Sequence, residues 1–118
     1  MSYKLTVIVP VHNEEENLPR VEAAFLDYFD KALLPTKVLF VNDGSTDASQ
    51  KIIEKICLRH TGFEYISFLE NRGLSAAIKA GFDHVQTAYT GYIDSDLQTT
   101  PEDFNKLLQF VGEYDLVT

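Results

Sequence analysis

Asp94-Ser95-Asp96 closes the apolar, aromatic segment Tyr89 to Ile93 and runs directly into Leu97-Gln98-Thr99-Thr100-Pro101-Glu102. A strand that ends in two carboxylates one residue apart, before a proline-initiated helix, is arranged to hold a hard divalent cation at the edge of a sheet. Residues i and i+2 of an extended chain share a side, so both carboxylates can face one ion while Ser95 points away. The same spacing also describes two solvated turn aspartates, one of them capping the next helix. What decides between the two readings is the company the pair keeps.

Four segments must position that company. Leu5-Thr6-Val7-Ile8-Val9-Pro10 is a β-branched apolar run closed by proline, which predicts a strand buried on both faces. Asn13 is placed to cap a helix, with Glu14, Glu15 and Glu16 in or beside its first turn and Leu18, Val21, Phe25 and Phe29 on its inner side. A second buried strand, Lys37 to Val41, ends in the turn cluster Asn42-Asp43-Gly44-Ser45-Thr46-Asp47, before a helix with Ile52, Ile53 and Ile56 inward. The pattern recurs with strand Phe63 to Leu69, turn Asn71-Arg72-Gly73, and a helix carrying Leu74, Ala77, Ile78, Phe82 and Val85. A fourth strand reaches Asp94, a helix follows Pro101, and Asp115 to Thr118 reads as the opening of a fifth strand. Strands alternating with helices predict an open parallel sheet with helices on both faces, and ligands of such sheets bind at the carboxyl ends of the strands. Pro10 to Glu14, Asn42 to Asp47, Asn71 to Gly73 and Asp94 to Gln98 all fall at that edge, which favours a working site for Asp94 and Asp96.

Composition narrows the partners. The 118 residues, 45% hydrophobic and 24% charged, suit one globular domain with a single core. Eighteen acidic against ten basic residues give a net charge of -8, which argues against nucleic acid or an anionic membrane surface as the direct partner of this segment. An anionic ligand then needs a cation or backbone N–H groups to hold it. The single Cys57 is core filler that fits a reducing compartment. No stretch approaches the ~20 apolar residues of a membrane span, so the segment itself requires no membrane contact. The glycine fingerprints of dinucleotide dehydrogenases and P-loop nucleotidases are both missing.

Val7-Ile8-Val9-Pro10-Val11-His12-Asn13-Glu14-Glu15, Val41 to Asp47, Asn71-Arg72-Gly73 with Ala76-Ala77 and Gly81, and Asp94 to Gln98 together resemble the inverting family 2 glycosyltransferases, in the family's order over nearly the whole chain. The resemblance implies the GT-A fold, a Rossmann-like open and mostly parallel sheet. The run Asp94-Ser95-Asp96-Leu97-Gln98 with Pro101-Glu102 looks most like the branch that moves a sugar onto polyprenyl phosphate, such as dolichol-phosphate mannosyltransferase. By that resemblance Asp94 and Asp96 are catalytic, and Asp94, Asp96 and Gln98 surround a Mg²⁺ or Mn²⁺ ion. Asp43 hydrogen-bonds the nucleobase, Pro10, Val11 and Glu14 line the base and ribose pocket, and Asp94 and Ser95 contact the nucleotide sugar. Arg72 either reaches the donor diphosphate or pairs with Glu70. Asp43 also fits an Asx turn, and Glu14 a dipole-complementing acid.

Two departures stand out: His12 replaces a usual aromatic residue, and Thr99-Thr100 replaces a more usual acid and proline. His12 reads as a partly stacked structural residue, and His60 and His84 as solvent-facing. Family members continue past a fifth strand into an acceptor-binding half, so residues 1–118 are expected to be the N-terminal, donor-binding part of a longer enzyme, ending after the fourth or fifth strand and inactive alone. The partners implied are a UDP- or GDP-linked sugar and a polyprenyl phosphate or saccharide acceptor, in the cytoplasm or at the cytoplasmic face of a membrane. A non-catalytic nucleotide-sugar-binding module, and a family 2 enzyme acting on a saccharide hydroxyl, are the competing readings.

Overall fold

The computed structural model describes residues 3–93. Within them β1 (Leu5–Val11), α1 (Leu18–Lys31), β2 (Thr36–Asp43), α2 (Ser49–Arg59), β3 (Phe63–Phe68), α3 (Leu74–His84) and β4 (Tyr89–Tyr92) alternate as the sequence predicts. The expected helix after Pro101 and strand at Asp115 lie outside the described residues. All pairings are parallel and the strand order is β3-β2-β1-β4. The chain therefore steps outward from β1 to β3, then returns to the other side of β1, which puts the switch in strand order between β1 and β4.

Period-2 alternation sorts the two buried strands onto two layers. Val7, Val9 and Val11 of β1 join Val38 and Phe40 of β2 in a core closed by Leu18, Val21 and Phe25 of α1 and by Ile53 and Ile56 of α2. Ile8, Leu39 and Val41 face the other way and pack with Ala77 of α3, beside Phe82 and Val85. The aligned register, Val7 with Val38 and Ile8 with Leu39, keeps like-facing residues side by side. The fold is thus α/β with α1 and α2 on one face and α3 on the other. Cys57 belongs to the first layer, and burial, with the charge of Glu64 second, pushes its thiol up to about 11, as befits filler.

Several boundaries differ from the sequence expectation. α1 starts at Leu18, with Pro19 in its first turn where a missing N–H costs nothing, and no acid lies in that turn. Asn13 is not its cap. β2 continues through Asn42 and Asp43 because β3 stays paired with it, Asp43 opposite Phe68. Leu74 is exposed, and the close face of α3 is Ala77 and Gly81. His60 is half-buried rather than solvent-facing, its Nε2 2.9 Å from a Glu22 carboxylate oxygen that also takes the Arg59 guanidinium at 2.8 Å. His84 is largely open to solvent, 3.8 Å from Glu64.

Gly81 sets how near α3 approaches the sheet, since a Cβ there would stand 2.8 Å from both Cδ1 and Cγ2 of the fully buried Ile8. Alanine would gain about 1 kcal/mol of helix propensity over glycine. Overpacking a stiff β-branched neighbour costs about 1–3 kcal/mol. Gly81→Ala should therefore lower the midpoint of denaturant unfolding, and the Ile8→Ala/Gly81→Ala pair should lose less than the sum of the single changes. Additive losses would show that the two sites do not touch.

Candidate functional site

Three loops meet at the carboxyl edge, and two knots hold them. In the first, the β1–α1 loop is stitched to the β2–α2 loop. Asn13, with φ at 54° and the only non-glycine with positive φ among the described residues, turns its side chain away from α1. Its Oδ1 accepts the N–H groups of Thr46 (2.8 Å) and Asp47 (3.3 Å), while its own N–H donates to Ser45 Oγ (2.9 Å). Glu14 N–H donates to Oγ of the buried Ser49 at 2.9 Å, and Glu15 N–H to Asp47 at 3.3 Å. Asn13 thus supplies the acceptor for two N–H groups of another loop, 33 and 34 residues along the chain. The Glu14 carboxylate accepts from Asn17 Nδ2 at 2.7 Å, so the acid braces its own turn.

The second knot centres on Asp43, which is 4% exposed at the last position of β2. Its Oδ1 accepts Arg72 N–H at 2.7 Å, and its Oδ2 accepts Gly73 N–H at 3.0 Å and Asn71 Nδ2 at 3.3 Å. His12 Nδ1 lies 2.9 Å from the Asp43 carbonyl oxygen. That carbonyl can only accept, so Nδ1 carries the proton and donates. Gly44 makes the contact possible. With φ at 65°, the direction of its missing Cβ points to Asn71 N at 2.2 Å. Below Asp43, Asn42 Nδ2 and Ser67 Oγ both donate to Gln50 Oε1 at 2.7 Å.

Pro10 and Val11 are buried in β1 just past Ile8, the last residue described as pairing with β4. A proline has no N–H to offer a ladder, which suits the point where the sheet opens. Ile93 is buried, and its N–H donates to Ile8 O at 3.0 Å, so the chain is delivered to the carboxyl edge beside β1 one residue before Asp94. Asp94, Ser95, Asp96 and Gln98 lie outside the described residues. Arg72 makes no ion pair with Glu70 among the described residues. Its guanidinium carbon stands 4.7 Å from the Phe68 ring centroid.

A depression of about 300 Å³ beside the first knot is lined by Asn13, Glu14, Glu15, Glu16, Asn17 and Asp47. Its acids do not converge, and no group of three or more His, Cys, Asp or Glu among the described residues could hold a metal. Asp47 is held below the ordinary carboxylate value of 3.8. Slight burial opposes its charge but is outweighed by hydrogen bonds from the Ser49 hydroxyl and N–H, the Glu15 N–H and its own N–H. Sequence reasoning missed Asn71, whose amide joins the Asp43 knot, and Ser49. The Asn-x-Gly spacing could have flagged the first, since it sets an amide beside a positive-φ glycine at 99°.

Residues 6–118 match the family described as Glycosyl transferase family 2. Undecaprenyl-phosphate 4-deoxy-4-formamido-L-arabinose transferase of Salmonella choleraesuis (strain SC-B67) is 34% identical over 117 residues, covering 97% of this chain and 36% of the relative. The enzyme of the same name from Sodalis glossinidius is 32% identical with the same coverage. The chain thus spans about a third of the length of these curated relatives. Among solved structures, the mannosyltransferase PcManGT of Pyrobaculum calidifontis, in complex with GDP-Man and Mn²⁺, superposes at a TM-score of 0.74 with 20% identity over 94% of this chain and 33% of its own. S. aureus TarS in complex with UDP-GlcNAc superposes at 0.71 with 23% identity over 94% of this chain and 32% of its own. Both likenesses show the fold, that of the GT-A glycosyltransferases.

Gly44→Ala should be among the most damaging single methyl additions, because it meets backbone rather than a movable side chain. Thermal unfolding should fall clearly, and amide exchange at Arg72 and Gly73 should accelerate as the loops part; unchanged exchange there would refute the contact. Asp47 should titrate below 3.8 by carboxyl NMR. A lowered folded pKa means that its contribution to stability is present above the unfolded value and is lost as pH falls through the folded one. A midpoint at or above 3.8 would contradict the hydrogen bonds assigned to it.

Proposed function

The chain belongs to glycosyl transferase family 2, and from that premise we propose that the full-length protein transfers a glycosyl group from a nucleoside-diphosphate sugar to a polyprenyl phosphate, with inversion at the anomeric carbon. Residues 1–118 are the N-terminal part of its donor-binding domain. The observation that carries the donor half of this reading is the buried Asp43 at the carboxyl edge, whose carboxylate is tied to the β3–α3 loop and whose backbone carbonyl is tied to the β1–α1 loop. Polar groups gathered beside the switch in strand order are where open α/β sheets bind nucleotides. The acceptor half is supported by the names of the relatives at 32–34% identity, both of which specify undecaprenyl phosphate.

In this reading Asp43 faces the nucleobase, and Pro10, Val11 and Glu14 border the base and ribose. Arg72, exposed and steadied against Phe68, approaches the diphosphate. Asp94 and Ser95 contact the nucleotide sugar. Asp94, Asp96 and Gln98 follow Ile93 immediately, and as an oxygen-only donor set they fit Mg²⁺ or Mn²⁺. When bound, the ion offsets the negative charge that grows on the leaving nucleotide. With a net charge of -8 residues 1–118 otherwise repel an anionic donor, so the cation answers a deficit that Arg72 alone does not fill.

A phosphate monoester loses its second proton near pH ~6, so a lipid phosphate is mostly dianionic at pH 7 and attacks without a strong general base. A sugar hydroxyl would need one. The reading places the full-length protein at the cytoplasmic face of a membrane, where a lipid phosphate and a nucleotide sugar meet. No helix among the described residues is long and apolar enough to cross a membrane.

The test is transfer of radiolabelled sugar from UDP- and GDP-linked donors to undecaprenyl phosphate in detergent micelles by the full-length protein. Transfer should require Mg²⁺ or Mn²⁺, be stopped by EDTA, and fall on the order of 100-fold in kcat/KM in Asp96→Ala. Transfer to a saccharide hydroxyl but not to the lipid would overturn the acceptor assignment. Donor binding with no transfer to either would reduce the protein to a binding module.

A further inference from the structure

Two side-chain amides below the carboxyl edge have a definite direction, because both ends of their chain are chemically fixed. Gln50 of α2 donates from Nε2 to the exposed Glu54 carboxylate at 2.8 Å. A carboxylate only accepts, so Gln50 turns its amino end to Glu54 and its oxygen to the sheet. That oxygen accepts from Asn42 Nδ2 and Ser67 Oγ, both at 2.7 Å. Asn42, 3% exposed near the end of β2, then has its own oxygen toward the following turn, where it accepts Ser45 N–H at 3.1 Å. A backbone N–H only donates, so this end demands the same orientation. One polarised series results, in which Ser45 N–H donates to Asn42, Asn42 to Gln50, and Gln50 to Glu54 on the outer side of α2.

The series continues past Ser45 into the β1–α1 loop. Ser45 Oγ accepts Asn13 N–H at 2.9 Å, and Asn13 Oδ1 accepts the N–H groups of Thr46 and Asp47. Asn13 holds a φ of 54°, an infrequent conformation for a residue with a Cβ, so the place of the adjoining Glu14 depends on the bonds that keep Asn13 there. Asn42 is too buried for water to replace a lost partner, so removal of Gln50 leaves its amino group unpaired and free to draw the amide out of line with Ser45.

We infer that Gln50 is a positioning residue for nucleotide-sugar binding: with Glu54 it sets the direction of the Asn42 amide, and through Ser45 and Asn13 it holds the β1–α1 loop where Glu14 borders the ligand. This rests on the reading of the carboxyl edge as the donor site. A charge-conserving exchange isolates the direction. In Gln50→Glu two carboxylates one helical turn apart face each other with no donor between them. In Gln50→Glu/Glu54→Gln the acid at 50 still accepts from Asn42 and Ser67, while the amide at 54 donates to it, so the series keeps its polarity.

Two readouts on the full-length protein test the inference. Exchange of the Ser45 amide, followed by NMR, should accelerate in Gln50→Leu and Gln50→Glu and return toward the wild-type rate in the double exchange. In the transfer assay, KM for the UDP- or GDP-linked sugar that is turned over should rise roughly fivefold in both single variants, with kcat and the KM for undecaprenyl phosphate held, and recover in the double exchange. General loss of stability would instead reduce the active fraction and lower the apparent kcat at unchanged KM. Unchanged Ser45 exchange in Gln50→Leu, or a double exchange as impaired as Gln50→Glu, would overturn the polarised series. Faster Ser45 exchange with an unaltered KM for the nucleotide sugar would overturn the positioning role while leaving the donor site in place. A folded wild-type protein that neither binds nor turns over either nucleotide sugar would overturn the donor-site reading, and the positioning role with it.

Discussion

A carboxylate that is 4% exposed at the end of an interior strand is costly to leave unpaired, and Asp43 is paired three times over by the loop that follows the neighbouring strand. Two of its three partners are backbone N–H groups, so what it fixes is the path of the β3–α3 loop itself. The Asp43 carbonyl takes the His12 imidazole from the β1–α1 loop. A single residue thereby ties two loops to one strand end, and an aspartate-to-asparagine exchange would turn an amide toward N–H groups that need an acceptor. Gly44 completes the device, because no residue with a Cβ leaves room for Asn71 N at that distance.

The sheet beneath supplies the rigidity that such a knot requires. β1 and β2 are buried on both faces, and their alternating side chains feed two separate layers, so neither strand can shift register by one residue without exchanging its two cores. Gly81 draws α3 down onto Ile8, one layer below the point where Ile93 pairs with the same residue's carbonyl. Consequently the end of β4 is anchored to the strand that carries Pro10 and Val11.

Local pattern made the frame legible. Continuous β-branched runs announced β1 and β2, and helical spacing announced Val21 and Phe25, because burial leaves a periodic trace in the residues themselves. What the sequence did not reveal were partners far along the chain. Asn13 reads as the cap of the helix that follows it, yet its acceptor serves Thr46 and Asp47. Asn42 and Asp43 read as a turn because their side chains are turn formers, while pairing with β3 keeps them in a strand. Leu74 has the right spacing for a core position but the wrong phase, since close approach of α3 is set by Ala77 and Gly81. Pro10, Val11, Glu14, Asp43 and Arg72 all fall at the edge where they were expected, although Glu14 and Asp43 have structural tasks there that spacing alone could not disclose.

The three bonds on Asp43 do more than satisfy a buried charge. Two oxygens held by three donors fix the plane and direction of the carboxylate, so the side chain keeps no rotameric freedom of its own. The loop that pairs with Asp43 also carries Arg72, so the place of that guanidinium against Phe68 depends on the same few backbone hydrogen bonds.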